Sequence, residues 1–114
     1  MSPITTHVLD TSQGCPGANI QVRLEQQKNG GNWQEISSGV TNADGRVMDL
    51  IPAEEVLDSG IYRMIFVTGP YFEQQGISFF YPEIEVRFLL SHPEQHYHIP
   101  LLLSPFGYST YRGS

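Results

Sequence analysis

The sequence predicts an all-β sandwich, one domain over residues 1–114, of about eight short strands and one short helix. Three observations predict it. Apolar and polar residues alternate with a period of two through much of the chain, turn residues recur between the alternating runs, and a single short stretch carries helix punctuation.

In "NIQVRLEQ", Ile20, Val22 and Leu24 share one face and Gln21, Arg23 and Glu25 the other, the pattern of a half-buried strand. An Asn-Gly-Gly turn follows, then a second strand from Trp33 to Val40, so the two read as a hairpin. "TNADGR" is the next turn, Asp44-Gly45 supplying its positive-φ position, and a short strand is expected from Arg46 to Leu50. "IPAEEVLDSG" is a connection bounded by proline and glycine, with room for one helical turn. "GIYRMIFVT" is a strong strand, with Tyr62, Met64 and Phe66 on one face and Ile61, Ile65 and Val67 on the other. "GPYFEQQG" reads as the short helix, proline in its first turn and Gly76 beyond its end. Strands resume at "EIEVRFLL" and "QHYHIPLLL", and "FGYSTYR" is the last. The open edges of such sheets need protection, and pairing with another subunit is one solution.

A chain of 114 residues can bury very roughly 65 % of the surface it exposes when unfolded, so a core forms without staples. Its single cysteine, Cys15, has no disulfide partner within the chain and sits in a Gly-Cys-Pro-Gly turn, where an inert thiol is expected. Twelve acids against six bases give a net charge of −6, and no Lys/Arg cluster exists to follow a phosphate backbone. Nucleic acid and membrane are therefore not expected as partners. No apolar run approaches the ~20 residues of a membrane-spanning helix. The start, Ser-Pro-Ile-Thr-Thr-His after Met1, lacks the pattern of a secretory signal, and the compartment expected is the cytoplasm.

Polar chemistry concentrates on histidine and arginine. His96 and His98, two apart in an expected strand, share a face. They suit a structural surface role, metal ligation with His7 or His92 as a third donor, or acid–base catalysis. Arg46 follows a tight glycine turn, from which its planar fork can be aimed at a carboxylate, an oxyanion or a urea-like group, or can simply open a strand. Arg112 carries the same ambiguity. The chain also ends in "YSTYRGS", crowding Tyr108, Tyr111 and Arg112 where most domains have small, loose residues. A Ser-His-Asp triad finds no support, because no nucleophile-elbow pattern is present.

Taken together, "ITTHVLDTSQGCPG", "TNADGR", "GIYRMIFVTGPYF", "FFYPEIEVRF" and "HYHIPLLLSPFGYSTYRGS" resemble the transthyretin-related family along essentially the whole chain, specifically its enzymes, the 5-hydroxyisourate hydrolases. The final Tyr-Arg-Gly-Ser block is the most specific part of the likeness. The resemblance implies an eight-stranded prealbumin-like sandwich and a homotetramer, a dimer of dimers with active sites at the dimer–dimer interface. It also implies hydrolysis of 5-hydroxyisourate to 2-oxo-4-hydroxy-4-carboxy-5-ureidoimidazoline in urate degradation, part of purine metabolism. No cofactor and no metal is implied. Carried over position by position, it makes His7, Arg46 and His98 catalytic, and His7, Arg46, Tyr111 and Ser114 substrate-binding.

Two other readings share much of this pattern: a small-molecule carrier of the transthyretin type, and a zinc-dependent cyclic-amide hydrolase using His7, His96 and His98. A carrier has no use for convergent histidines and an arginine, and it would lack the Tyr-Arg-Gly-Ser ending. A non-catalytic β-sandwich module would leave the histidines without a purpose. Family members occur in cytoplasm, periplasm and peroxisome, and the Arg-Gly-Ser ending is not of the Ser-Lys-Leu peroxisomal type.

Overall fold

A computed structural model describes residues 2–114. Eight strands form two four-stranded sheets. The first sheet contains β1 (Ile4–Asp10), β2 (Cys15–Pro16), β7 (Tyr97–Ser104) and β8 (Gly107–Thr110), in the order β2-β1-β7-β8. The second contains β3 (Gln21–Gln27), β4 (Trp33–Val40), β5 (Gly60–Val67) and β6 (Ile84–Leu90), in the order β4-β3-β5-β6. The short helix α1 spans Gly69–Glu73, with Pro70 in its first turn and Gly76 at φ 69° after its end. The sequence-based expectation of a β-sandwich with one short helix is met.

The sheets face each other through alternate residues. Ile4, Val8, Tyr97, Ile99, Leu101 and Leu103 point inward from the first sheet, and Val22, Leu24, Tyr62, Met64, Phe66 and Ile84 from the second; all are buried. Each large side chain removed from water contributes about 1.5–3 kcal/mol, which specifies strand register. A slip of one residue in β1 would bring Thr5 and His7 into the core and expose Ile4 and Val8. The core thus dictates which residues of β1 and β7 face outward.

Two local expectations change. Apolar alternation does not reveal β1, because two of its inward positions are Thr6 and Asp10. Their polarity is satisfied internally. Thr6 donates to the Ile99 carbonyl, while the Asp10 carboxylate accepts from the Ser12 amide and hydroxyl, the Gln13 amide and side chain, and the Tyr71 hydroxyl. The strand expected from Arg46 to Leu50 is also not formed. Only Arg46 pairs, in a single bridge to His7; Asp49 then turns the chain at φ 56°, and Val47 and Leu50 are buried three residues apart rather than alternating.

Candidate active site

β1 and β7 run parallel although about ninety residues separate them, and their register places Thr5 beside His98 and His7 beside Pro100. Thr5, His7 and His98 all lie on the outward face, each partly exposed. Pro100, next to His7, is buried.

Arg46 arrives from the other side of β1. The turn Asn42–Arg46 is closed by hydrogen bonds from Gly45 N–H to the Asn42 carbonyl and from Asn42 N–H to the Arg46 carbonyl. The Asn42 side-chain oxygen also accepts from the amides of Asp44 and Arg46. Val8 N–H donates to the Gly45 carbonyl at 2.8 Å, fastening the turn to β1 and bridging Arg46 to His7. Glycine is required here twice over. Gly45 has φ +78°, and a Cβ on it would lie 2.4 Å from the Val8 carbonyl oxygen and 3.3 Å from His7 Cδ2.

The chain end closes the third side. β8 stops at Thr110, shorter than the expected strand through Arg112, yet the register that pairs Leu101 with Thr110 continues to an isolated bridge between His98 and Gly113. Pro100 explains the gap. It has no N–H to give Tyr111, and its carbonyl is taken by the Thr110 hydroxyl at 2.6 Å. Past the proline, Gly113 N–H donates to the His98 carbonyl at 2.8 Å. The Gly113 Cα then packs on the imidazole so closely that a Cβ would lie 2.4 Å from His98 Cδ2.

Arg112 does not face the other candidate groups. Its guanidinium donates to Gln95 Oε1 and the His96 carbonyl, at 3.1 and 3.2 Å, and lies 4.3 Å from the centre of the Tyr97 ring. It anchors the chain end to the loop before β7, which keeps Gly113 seated on His98. Tyr111 shares with His98 a groove of 280 Å³ that continues between the edges of β6 and β8, and 59 % of its surface is exposed. Ser114 is exposed beside Gly113. Neither Tyr111 nor Ser114 forms a side-chain hydrogen bond among the described residues. The structure therefore brings His7, Arg46 and His98 together and leaves Tyr111 and Ser114 on the rim.

His96 precedes β7 but points to the same side as His98. One hydroxyl joins them: Thr5 Oγ1 lies 3.0 Å from His96 Nε2 and 2.8 Å from His98 Nδ1. His96 Nδ1 lies 2.6 Å from the Ser2 carbonyl oxygen. Both nitrogens of His96 are thus engaged, which removes it from the His7/His96/His98 ligand set. Among the described residues, no three His, Cys, Asp or Glu side chains are grouped to hold a metal ion.

Burial lowers the His98 pKa below the ordinary histidine value, and the Arg46 guanidinium nearby lowers it further. The neutral form of His98 is thus favoured, beside the Arg46 cation and at the groove it lines with Tyr111. Thr5 and Gly113 lie within the blocks that carry the family likeness but are not among the site residues expected from it. Each acts on His98 across a strand pairing that only the topology reveals.

A family model described as the HIUase/Transthyretin family matches residues 4–113. A 5-hydroxyisourate hydrolase of Salmonella typhimurium is 48 % identical over 111 residues, covering 97 % of this chain and 80 % of that protein. Among solved structures, transthyretin from Sparus aurata superposes with a TM-score of 0.91 at 36 % identity, covering 99 % of this chain and 97 % of that one. The 5-hydroxyisourate hydrolase of Klebsiella pneumoniae superposes with a TM-score of 0.83 at 34 % identity, covering 100 % of this chain and 94 % of that one.

Proposed function

The chain belongs to the HIUase/Transthyretin family, and from that premise we propose that it is a 5-hydroxyisourate hydrolase acting through His7, Arg46 and His98. One observation carries the reading beyond fold likeness: a partly buried imidazole with a lowered pKa, His98, shares the outward face with His7, to which the turn-held Arg46 is bridged. A carrier needs no base there.

The substrate's six-membered ring is opened at an amide. Water attacks the ring carbonyl carbon, the carbon–nitrogen bond breaks, the departing nitrogen gains a proton, and the carbonyl becomes a carboxylate. The product is 2-oxo-4-hydroxy-4-carboxy-5-ureidoimidazoline, an intermediate of urate degradation. His98 takes the proton from the attacking water, a task suited to a base that remains neutral at working pH. His7, on the same face, exchanges protons with the departing nitrogen. Arg46 binds the urea-like edge of the substrate and stabilises negative charge as it develops on the attacked oxygen. Tyr111 and Ser114 close over the ring from the rim.

The assembly we propose is a homotetramer, in which paired dimers bury the outward histidine face in a channel. Exposed Leu89 on β6 and Tyr108 on β8, at two sheet edges that border one groove, support pairing along that side. A cytoplasmic location is proposed from the sequence alone. The function is tested by adding the purified protein to fresh 5-hydroxyisourate and following the carbon spectrum by NMR. Rapid appearance of a new carboxylate with loss of the ring carbonyl is expected; unchanged spontaneous decay would reject the hydrolase reading.

A further inference from the structure

The outward face contains a chain of hydrogen bonds whose direction can be worked out from its far end. His96 Nδ1 lies 2.6 Å from the Ser2 carbonyl oxygen, which can only accept, so this nitrogen carries a hydrogen. In the neutral imidazole form, with Nδ1 as the donor, Nε2 is bare. The Thr5 hydroxyl, 3.0 Å away, must donate to it. Having spent its one hydrogen there, Thr5 Oγ1 can only accept from His98 Nδ1 at 2.8 Å. Each step follows from the donor and acceptor inventory of the groups involved.

We propose that Thr5, oriented by His96 and the Ser2 carbonyl, is a positioning residue that holds His98 in its Nδ1–H tautomer, leaving Nε2 as the lone-pair nitrogen that deprotonates water. The proposal deepens the hydrolase reading and rests on it for the catalytic role of His98. It also gives His96 a purpose outside substrate contact: its ring converts a fixed backbone carbonyl into a fixed hydroxyl orientation. The arrangement resembles in logic the carboxylate that orients a catalytic histidine in hydrolase triads, but puts a hydroxyl in the carboxylate's place. A hydroxyl suits this site. A carboxylate beside His98 would raise its pKa, whereas Arg46 and burial hold it down.

Thr5 stands on the outer face of β1 between two buried neighbours, Ile4 and Thr6. Thr5→Val keeps the β-branched shape that the strand prefers and removes only the hydroxyl, while Thr5→Ser keeps the hydroxyl and removes a methyl. Two readouts decide the matter. In full-length protein labelled with nitrogen-15 histidine, wild-type His98 is expected to show a protonated Nδ1 and a pyridine-like Nε2 at neutral pH, and Thr5→Val to lose that preference. In steady-state kinetics with 5-hydroxyisourate, Thr5→Val is expected to lower kcat about 10–100-fold with KM changed less than about threefold, as for groups that orient a reacting imidazole. Thr5→Ser should restore both the spectrum and most of kcat.

A wild-type His98 protonated on Nε2, or a Thr5→Val enzyme with undiminished kcat, would overturn the proposal. Should the wild type fail to hydrolyse 5-hydroxyisourate at all, the functional reading falls. The nitrogen spectrum would still decide whether Thr5 holds the tautomer.

Discussion

Replacing Gly113 by alanine tests the site at its tightest contact. A Cβ at this position would lie 2.4 Å from His98 Cδ2, 3.2 Å from Cγ and 3.4 Å from Cβ. The first distance is about 1 Å short of ordinary carbon–carbon contact, so either the imidazole swings away or the chain end lifts off. In the second case the 2.8 Å bond from Gly113 N–H to the His98 carbonyl is lost as well. A misplacement of about 1 Å in a catalytic group can cost on the order of 10²-fold in rate, or roughly 2.7 kcal/mol of barrier. Folding should scarcely notice. Gly113 lies beyond β8 and is only half-buried, so the loss of stability should stay below about 1 kcal/mol, a fall in Tm of no more than about 4 °C. Gly107→Ala is the control, since its Cβ would meet nothing nearer than Ser104 Oγ at 3.8 Å. The assay is kcat/KM from the ultraviolet decay of 5-hydroxyisourate, with thermal unfolding in parallel. A Gly113→Ala enzyme as fast as wild type would refute the claim that the glycine sets the position of His98.

Two further predictions concern protons. Because neutral His98 is the active form and its pKa is lowered, the acidic limb of kcat/KM should fall below pH ~6.5 in the wild type. Arg46→Gln removes one of the charges that lower it, so the limb should move upward in pH without reaching the ordinary value, since burial, the larger cause, persists; a limb that stayed put would contradict the electrostatics. Asp10 is fully buried, which alone would raise its pKa, but hydrogen bonds from Ser12, Tyr71 and Gln13 more than compensate and the pKa is lowered. Its stabilising contribution is therefore complete above the unfolded value near pH ~3.9 and is lost as pH falls through the folded value. Asp10→Asn should cost about 1–3 kcal/mol at neutral pH and flatten the stability profile below pH ~4, as read by urea unfolding; an unchanged acid limb would count against it.

The strands legible in the sequence were those whose inward positions are all apolar. Ile20, Val22 and Leu24, or Tyr62, Met64 and Phe66, announce a buried face directly. β1 hides because Thr6 and Asp10 occupy core positions whose polarity is satisfied by partners far along the chain, Ile99 and Tyr71. The stretch after Arg46 misleads in the opposite sense: Val47 and Leu50 are buried from a turn, and Met48 between them is exposed.

The site was legible mainly through family resemblance. Spacing alone left the His96/His98 pair open between structure, metal and catalysis, and Arg46 open between a surface role and an anion site. What separates the two histidines is a parallel pairing that sets Thr5 beside His98 and the loop that ties His96 to the Ser2 carbonyl. The crowded chain end has a similar explanation. Arg112 grips the loop before β7, Pro100 breaks the ladder at Tyr111, and Gly113 returns to seat His98.

The most direct measurement is an ultraviolet time course of freshly generated 5-hydroxyisourate with wild-type protein, with and without a chelator, and with His98→Ala. The account predicts decay accelerated by the wild type and unaffected by the chelator. His98→Ala should be slowed about 10²–10⁴-fold, roughly 3–5 kcal/mol of barrier, with the fold intact. Decay no faster than in buffer would contradict the hydrolase, and nearly full turnover by a folded His98→Ala would contradict the base assigned to it.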